Sequence, residues 1–144
     1  MKRLILALAF AAMVFPESGK TALTPASATS VSATADKFFS LLSAGKADQA
    51  YEALLDPKIV QDKKQDVSNL VTQTENLVSL YGNISGWERI QEDQISPYYL
   101  IVVYEVRFRY LPVFFRMRFY HADASTPWSV SNILFNDDPD KILN

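Results

Sequence analysis

One histidine and a group of arginines are the residues whose types and spacing favour chemistry or binding. His121 is the only histidine of the chain, and imidazole is the side chain whose ordinary pKa allows proton exchange near neutral pH. Asp123 follows two residues later. On a strand this spacing places both residues on one face, where the carboxylate would orient the ring as a general base. His121 is therefore the candidate catalytic residue, and a histidine at the rim of the core is the alternative.

The arginines form a candidate partner surface. They alternate along two neighbouring predicted strands and share one face with a tyrosine: Arg107, Arg109, Arg116, Arg118 and Tyr120. If residues 111–112 form a two-residue turn, Arg107 lies opposite Arg116, and such like charges destabilise a strand pair. A longer loop of the same parity is the alternative. The surface is either solvated and salt-bridged, or it docks an acidic protein partner or an anionic head group. A second copy of the chain docking on the sheet face is a further alternative.

The other face of the same strands is apolar and predicts a pocket. It carries more aromatic surface than three short helices cover, including Tyr104, Phe108, Phe115 and Phe119. The residues expected to line a ligand pocket at one end of the sheet are Tyr51, Tyr104, His121 and Trp128. The expected occupant is a small hydrophobic molecule that is bound without turnover. The competing outcome is an interior filled by the protein's own side chains.

Composition excludes several classes of protein. The 144 residues suit one domain, and the absence of cysteine excludes disulfides, a cysteine nucleophile and a thiolate zinc site. A single histidine excludes a two-histidine zinc motif. A net charge of −2 and a pI near 5.3 argue against nucleic acid as a partner. No metal or cofactor is predicted.

The beginning of the chain is typical of a secretory signal. Lys2 and Arg3 precede an apolar run of 12 residues, 4–15, which is shorter than the roughly 20 residues of a membrane span. Small residues at 26–28 suit cleavage. We therefore predict a signal peptide and export linker at 1–28, a flexible linker at 29–34, a folded domain at 35–137 and a tail at 138–144. The expected location is periplasmic or secreted, in a bacterium, and an uncleaved anchor is the alternative.

The elements that must position these residues follow from periodicity. Helices are predicted from Ala35 to Gly45 after a Thr34 cap, from Ala47 to Leu55, and from a start between residues 59 and 66 to Gly82. Residues 16–33, rich in Ser, Thr and Ala, predict disorder. Strands are predicted at 87–95, 98–110, 113–121 and 128–135. The expected class is α+β, with three N-terminal helices packed on one face of a curved antiparallel sheet of about four strands.

The stretch from about Ala35 to Asp137 resembles the nuclear transport factor 2-like (NTF2-like) superfamily, the α+β cone shared with ketosteroid isomerase. The resemblance rests on residues 35–39, 48–51 and 80–82, on the two long strands and on residues 128–135. It is closest to small exported members to which no activity is assigned. Enzymes of the family use an acidic base and Tyr or Asp donors in the cone, and no motif here matches them. The resemblance thus implies a non-enzymatic binding or interaction domain; an enzyme with His121 as base and a structural dimer through the sheet face are the alternatives.

Overall fold

Four helices precede the sheet in the computed structural model, which describes residues 25–143. The helices are α1 (Pro25–Ser43), α2 (Ala47–Leu54), α3 (Pro57–Asp62) and α4 (Lys64–Tyr81). The strands are β1 (Ile84–Ser96), β2 (Tyr99–Phe108), β3 (Pro112–Tyr120) and β4 (Ser129–Asn136), followed by a 3-10 turn (Pro139–Lys141). The α+β class, with helices before a curved antiparallel sheet, is confirmed. None of the helices within this described range is long and apolar enough to cross a membrane.

Helix α1 begins ten residues earlier than Ala35, the predicted start. The linker predicted at residues 29–34 is therefore wrong, because these residues are helical. Val31 and Ala35 are fully buried and continue the apolar stripe of Phe38 and Leu42 at helical spacing. Serine and threonine are only moderate helix formers, so the burial of one side chain per turn, Val31 and then Ala35, is what holds this segment in the helix. Of the predicted signal peptide and export linker at 1–28, residues 1–24 lie outside the described residues, and residues 25–28 belong to α1.

Glycines end α1 and α4, as predicted. Gly45 and Gly82 have φ of 74° and 82°, a conformation that glycine adopts without steric cost. At the end of α1, the Lys46 N–H donates to the Leu41 carbonyl at 2.9 Å, which satisfies a free carbonyl of the last turn.

Helix α3 adds a fourth helix to the three that were predicted. The sequence places a stop at Asp56-Pro57, and α2 does end just before it. The same two residues also start α3, because the Asp56 carboxylate accepts a hydrogen bond from the Lys58 N–H at 2.8 Å and Pro57 occupies the first helical position. A dipeptide that ends one helix can therefore begin another. The sequence-based prediction used Asp56-Pro57 only as the end of α2.

The strands form a sheet in the order β1-β2-β3-β4, and every neighbouring pair is antiparallel. Alternate residues of the two central strands face the helices. They form the core with the apolar sides of α1 and α2: Leu100, Val102, Tyr104, Val106, Phe108, Val113, Phe115, Met117 and Phe119. Phe39 of α1 packs at the centre, with ring centroids 5.2 Å from Tyr104 and 5.5 Å from Phe115.

The register of the β2–β3 hairpin differs from the one expected for a two-residue turn. Tyr104 pairs with Phe115 and Arg107 pairs with Pro112, so the opposition of Arg107 and Arg116 is wrong. The loop between the strands is longer, residues 109–111, and it preserves parity. Each residue of the two strands therefore lies on the predicted face but opposite a different partner, which is the alternative that the sequence left open. Arg109, predicted on the arginine face, lies in the loop instead.

Candidate functional site

His121 follows β3 and joins two loops at one end of the sheet. Its Nδ1 lies 3.2 Å from the Thr126 carbonyl oxygen and its Nε2 lies 3.0 Å from the Pro97 carbonyl oxygen. The ring packs on Trp128, with centroids 3.9 Å apart. Both ring nitrogens thus face backbone acceptors. A general base must present a free nitrogen lone pair to its substrate, and this geometry instead makes His121 a connection between the β1–β2 turn and the β3–β4 loop.

Asp123 organises the loop after β3. Its Oδ1 accepts hydrogen bonds from the N–H groups of Ser125 and Thr126, both at 2.9 Å, and from their hydroxyls at 2.7 and 2.9 Å. The side-chain and backbone donors of Ser125 and Thr126 lower the pKa of the Asp123 carboxyl to about 2. The carboxylate that the sequence associates with His121 is therefore committed to its own loop.

Two of the four predicted pocket residues are buried in the core. Tyr51 of α2 is fully buried, and its hydroxyl lies 2.7 Å from the Thr74 hydroxyl of α4. Thr74 gives its own proton to the Leu70 carbonyl at 2.8 Å, so the Tyr51 phenol is the donor between them. Burial raises the pKa of the Tyr51 phenol well above 10, which keeps that donor protonated.

Tyr104 and Tyr51 contact different aromatic side chains of α1. Phe38 contacts Tyr51 and Phe39 contacts Tyr104, at centroid distances of 5.1 and 5.2 Å. His121 follows Tyr120, the partner of Tyr99, so Tyr104 is five residues further along β2, roughly 17 Å at the rise of a strand. The structure therefore separates the predicted pocket residues, with aromatic side chains of α1 between Tyr51 and Tyr104 and with His121 and Trp128 at the far end of the sheet.

A polar cluster that strand alternation does not predict surrounds Tyr104. Asp36 of α1 accepts a hydrogen bond from the Trp87 indole N–H at 2.8 Å, and Arg89 pairs with Glu92 at 2.7 Å. Burial raises the pKa of the Tyr104 phenol to about 12; Arg89 opposes this rise, and Asp36 and Glu92 add to it. The phenol oxygen is buried and has no hydrogen-bond partner among the described residues.

A bulge in β1 explains why this cluster was missed. The register shifts between Arg89 and Gln91, so Ile90 is an extra residue. Arg89 and Glu92 consequently both face the helices. They are three positions apart, and simple alternation would place them on opposite faces. The only signal in the sequence is the interrupted alternation between Trp87 and Ile95.

The outer face of the sheet carries most of the predicted arginine surface. Arg116 and Arg118 of β3 are half-buried and have Val103 and Ile101 of β2 as Cα partners. Tyr120 is exposed on the same strand face. Arg107 also lies on this face, with its guanidinium 3.8 Å from the Glu88 carboxylate. Arg109 does not belong to the face, because it is in the β2–β3 loop with its guanidinium 5.6 Å from the Tyr110 ring centre.

Apolar residues lie between these charges. Val103 is fully buried, yet it is not part of the core cluster on the helical side. Ile101 and Phe114 are half-buried beside it, and Leu134 of β4 is 45% exposed. An apolar centre with a charged margin is typical of an interaction surface.

Two charges of the outer face lack an ion-pair partner among residues 28–143. Glu105 has Phe114 and Glu88 as its Cα partners on the neighbouring strands, so its closest charged neighbour across β1 is another carboxylate. Arg118 has no carboxylate within salt-bridge distance, and its Nε is buried without a hydrogen-bond partner. A buried guanidinium nitrogen in this state is rare in native proteins.

No protein-family model, curated protein or solved structure matches the chain. Within residues 28–143, no three His, Asp or Glu side chains are grouped closely enough to hold a metal ion. The geometry of the outer sheet face therefore carries the functional argument.

Proposed function

We propose that this protein is a non-catalytic interaction domain that self-associates through the outer face of its sheet. The observation that supports this most directly is the pair of opposite charges, Glu105 and Arg118, that have no ion-pair partner in the described part of the chain. A second copy of the same surface supplies both missing partners. The apolar residues between the two charges supply the area that becomes buried.

The positions of the two charges suit a two-fold axis. Val103 and Arg116 are Cα partners, and Glu105 and Arg118 lie two residues to either side of that level along the strands. Each charge is therefore about 7 Å from the level of Val103. An axis between two facing sheets, crossing the strands at Val103, places Glu105 of each copy over Arg118 of the other, so that two identical ion pairs form. The same axis brings the Arg116 side chains of the two copies together, and this like-charge contact must be outweighed by the two ion pairs.

The face is large enough for a specific dimer. Four strands, of which β3 has 9 residues, give a footprint of roughly 30 by 19 Å, or about 600 Å², from standard strand rise and spacing. Accessible area exceeds the flat footprint, and specific interfaces bury about 800 Å² on each partner. Area alone does not set the affinity, so the association is tested directly below.

Charge reversal tests the arrangement. Glu105→Arg and Arg118→Glu each place like charges at both contacts of a homodimer, so each variant is expected to be monomeric in analytical ultracentrifugation where the wild type is dimeric. A mixture of the two variants restores both attractions, and we expect a one-to-one heterodimer. Arg109→Glu is the matched control, because Arg109 is an exposed arginine outside the face.

A wild type that remains monomeric at hundreds of micromolar overturns the dimer. If that monomer instead binds an acidic protein and loses it on Arg118→Glu but not on Arg109→Glu, the outer face serves an acidic partner. Variants that stay dimeric place the contact elsewhere on the surface.

Export to the periplasm or the medium is a further part of the proposal, and the charged and apolar N-terminal residues 2–15 support it. The intact mass of the protein recovered outside the cytoplasm is expected to lack the first 20 to 30 residues, roughly the length of a signal peptide. Full-length protein in the soluble cytoplasm contradicts this.

A further inference from the structure

Helix α4 leaves most of its apolar stripe partly exposed. Thr74 is its one buried residue, whereas Val67, Leu70, Val71 and Val78 are each half-buried. The helices beside it are too short to cover it, since α2 has 8 residues and α3 has 6 against the 18 of α4. Two of these half-buried residues, Val67 and Val71, line a groove on the helical side of the molecule, away from the outer sheet face.

This groove runs between α2, α3 and α4 and has a volume of about 380 Å³. Its floor is apolar, formed by Val60 of α3 with Val67 and Val71 of α4. Pockets that bind small molecules have volumes of roughly 300 to 1,000 Å³ and mainly apolar linings with a few polar groups. The groove thus has the size and the floor of a small-ligand site.

The wall formed by α2 is acidic. Asp48 and Glu52 are one helical turn apart and both line the groove, and neither forms an ion pair with another residue of the described chain. Like charges four residues apart destabilise a helix, and a cation bound between them removes that repulsion. Lys64, the first residue of α4, also lines the groove, so the lining carries two negative charges and one positive charge.

We propose that this groove binds a small amphiphilic cation, with an apolar chain or ring over the three valines and one protonated amine between Asp48 and Glu52. The assignment goes beyond self-association through the sheet and does not depend on it, because the two surfaces share no residue. The acidic pair on α2 favours a positively charged ligand, and the three valines favour a ligand that also has an apolar chain or ring.

Three probes of equal chain length separate charge from apolarity. Octylamine, octanol and octanoate are titrated into the full-length protein at neutral pH, and binding is followed by calorimetry and by amide chemical shifts. We expect octylamine to bind at least severalfold more tightly than octanol, and octanoate to bind most weakly. Octanoate binding as tightly as octylamine overturns the cationic assignment, and no saturable octylamine binding overturns the site.

Two kinds of variant locate the site. The double change Asp48→Asn with Glu52→Gln is expected to weaken octylamine binding by about tenfold while leaving octanol binding unchanged, because each exposed ion pair contributes only modestly. Asp62→Asn is the matched control, since Asp62 is an exposed acid on α3 that pairs with Lys58 outside the groove lining. Val71→Trp fills the groove and is expected to abolish binding of both probes.

Circular dichroism and the unfolding midpoint show whether the Val71→Trp variant is folded. If the Val71→Trp variant is not folded, the double variant Asp48→Asn with Glu52→Gln still decides the test, because both changes are on the surface of α2. Octylamine binding that survives both the charge variant and a folded Val71→Trp variant places the ligand elsewhere and overturns the proposal.

Discussion

Helices α1 and α4 are nearly equal in length, with 19 and 18 residues, and both carry an apolar stripe at helical spacing. They differ in how deeply the stripe is buried. Phe38, Phe39 and Leu42 of α1 are at most 3% exposed, whereas α4 buries only Thr74. The reason is the surface each helix meets, because α1 packs on α2 and also on the aromatic side of the sheet, whereas α4 packs mainly on the short helices α2 and α3. Periodicity gives the direction in which a helix faces, and the size of its neighbours gives the depth of burial.

The largest difference between the two helices is expected from truncating one side chain in each. Phe39→Ala is expected to lower the free energy of unfolding by about 3–5 kcal/mol, because it leaves a cavity among Trp87, Tyr104 and Phe115. Val71→Ala is expected to cost less than about 1 kcal/mol, because that side chain is already half in water. Urea denaturation followed by tryptophan fluorescence and circular dichroism measures both. Equal costs contradict the comparison, and Phe39→Leu serves as the control for ring loss with less cavity.

Removing the hydroxyl from each of the two buried tyrosines, Tyr51 and Tyr104, is expected to change the free energy of unfolding by a smaller amount. Tyr51→Phe removes the donor to Thr74 and is expected to cost about 1–2 kcal/mol, because the Tyr51–Thr74 bond is the buried polar link between α2 and α4. Tyr104→Phe is expected to be neutral or stabilising, because the Tyr104 hydroxyl is buried without a partner. The same denaturation curves give both values. A larger loss for Tyr104→Phe indicates that a ligand or an ordered water uses that hydroxyl.

The smallest effect on stability is expected at alkaline pH and involves Tyr81, in the last turn of α4. The Tyr81 hydroxyl donates to the Asp137 carboxylate at 2.9 Å, and this bond raises the pKa of the Tyr81 phenol. A phenol whose folded-state pKa lies above its unfolded value of about 10 contributes stability that is complete below about pH 10 and that is lost as the pH rises through the folded-state pKa. Tyr81→Phe is therefore expected to reduce the fall in stability between about pH 8 and about pH 11 slightly. An identical pH dependence in the variant shows that this bond does not contribute.

Much of the fold was predictable because it follows from local pattern. The stripes of α2 and α4, the stops at Gly45 and Gly82 and the face of every residue in β2 and β3 depend on spacing alone. The register of the hairpin did not follow, because residues 109–111 form a longer loop whose length leaves the alternation unchanged. The first turns of α1 did not follow either, because their helix depends on the burial of Val31 against a distant part of the chain.

The candidate site was predictable only in part. Alternation placed Arg116, Arg118 and Tyr120 on one face, and the structure agrees. Glu105 and Arg118 have no ion-pair partner among the described residues. That fact depends on the register of β2 and β3 and on the position of β1, and neither follows from alternation. The groove of α4 is likewise a property of neighbouring helix lengths, since α3 was not expected at all.

The bulges of β1 have a consequence for how the molecule avoids aggregation. β1 is the longest strand, with 13 residues, and it lies at a sheet edge, where free N–H and C=O groups would add further strands from other copies. Its pairing is interrupted at three places, and Glu88, Arg89, Glu92 and Asp93 concentrate charge along it. An edge of this kind is a poor template for growth. Growth of a fibre by strand addition is thereby disfavoured at this edge of the sheet.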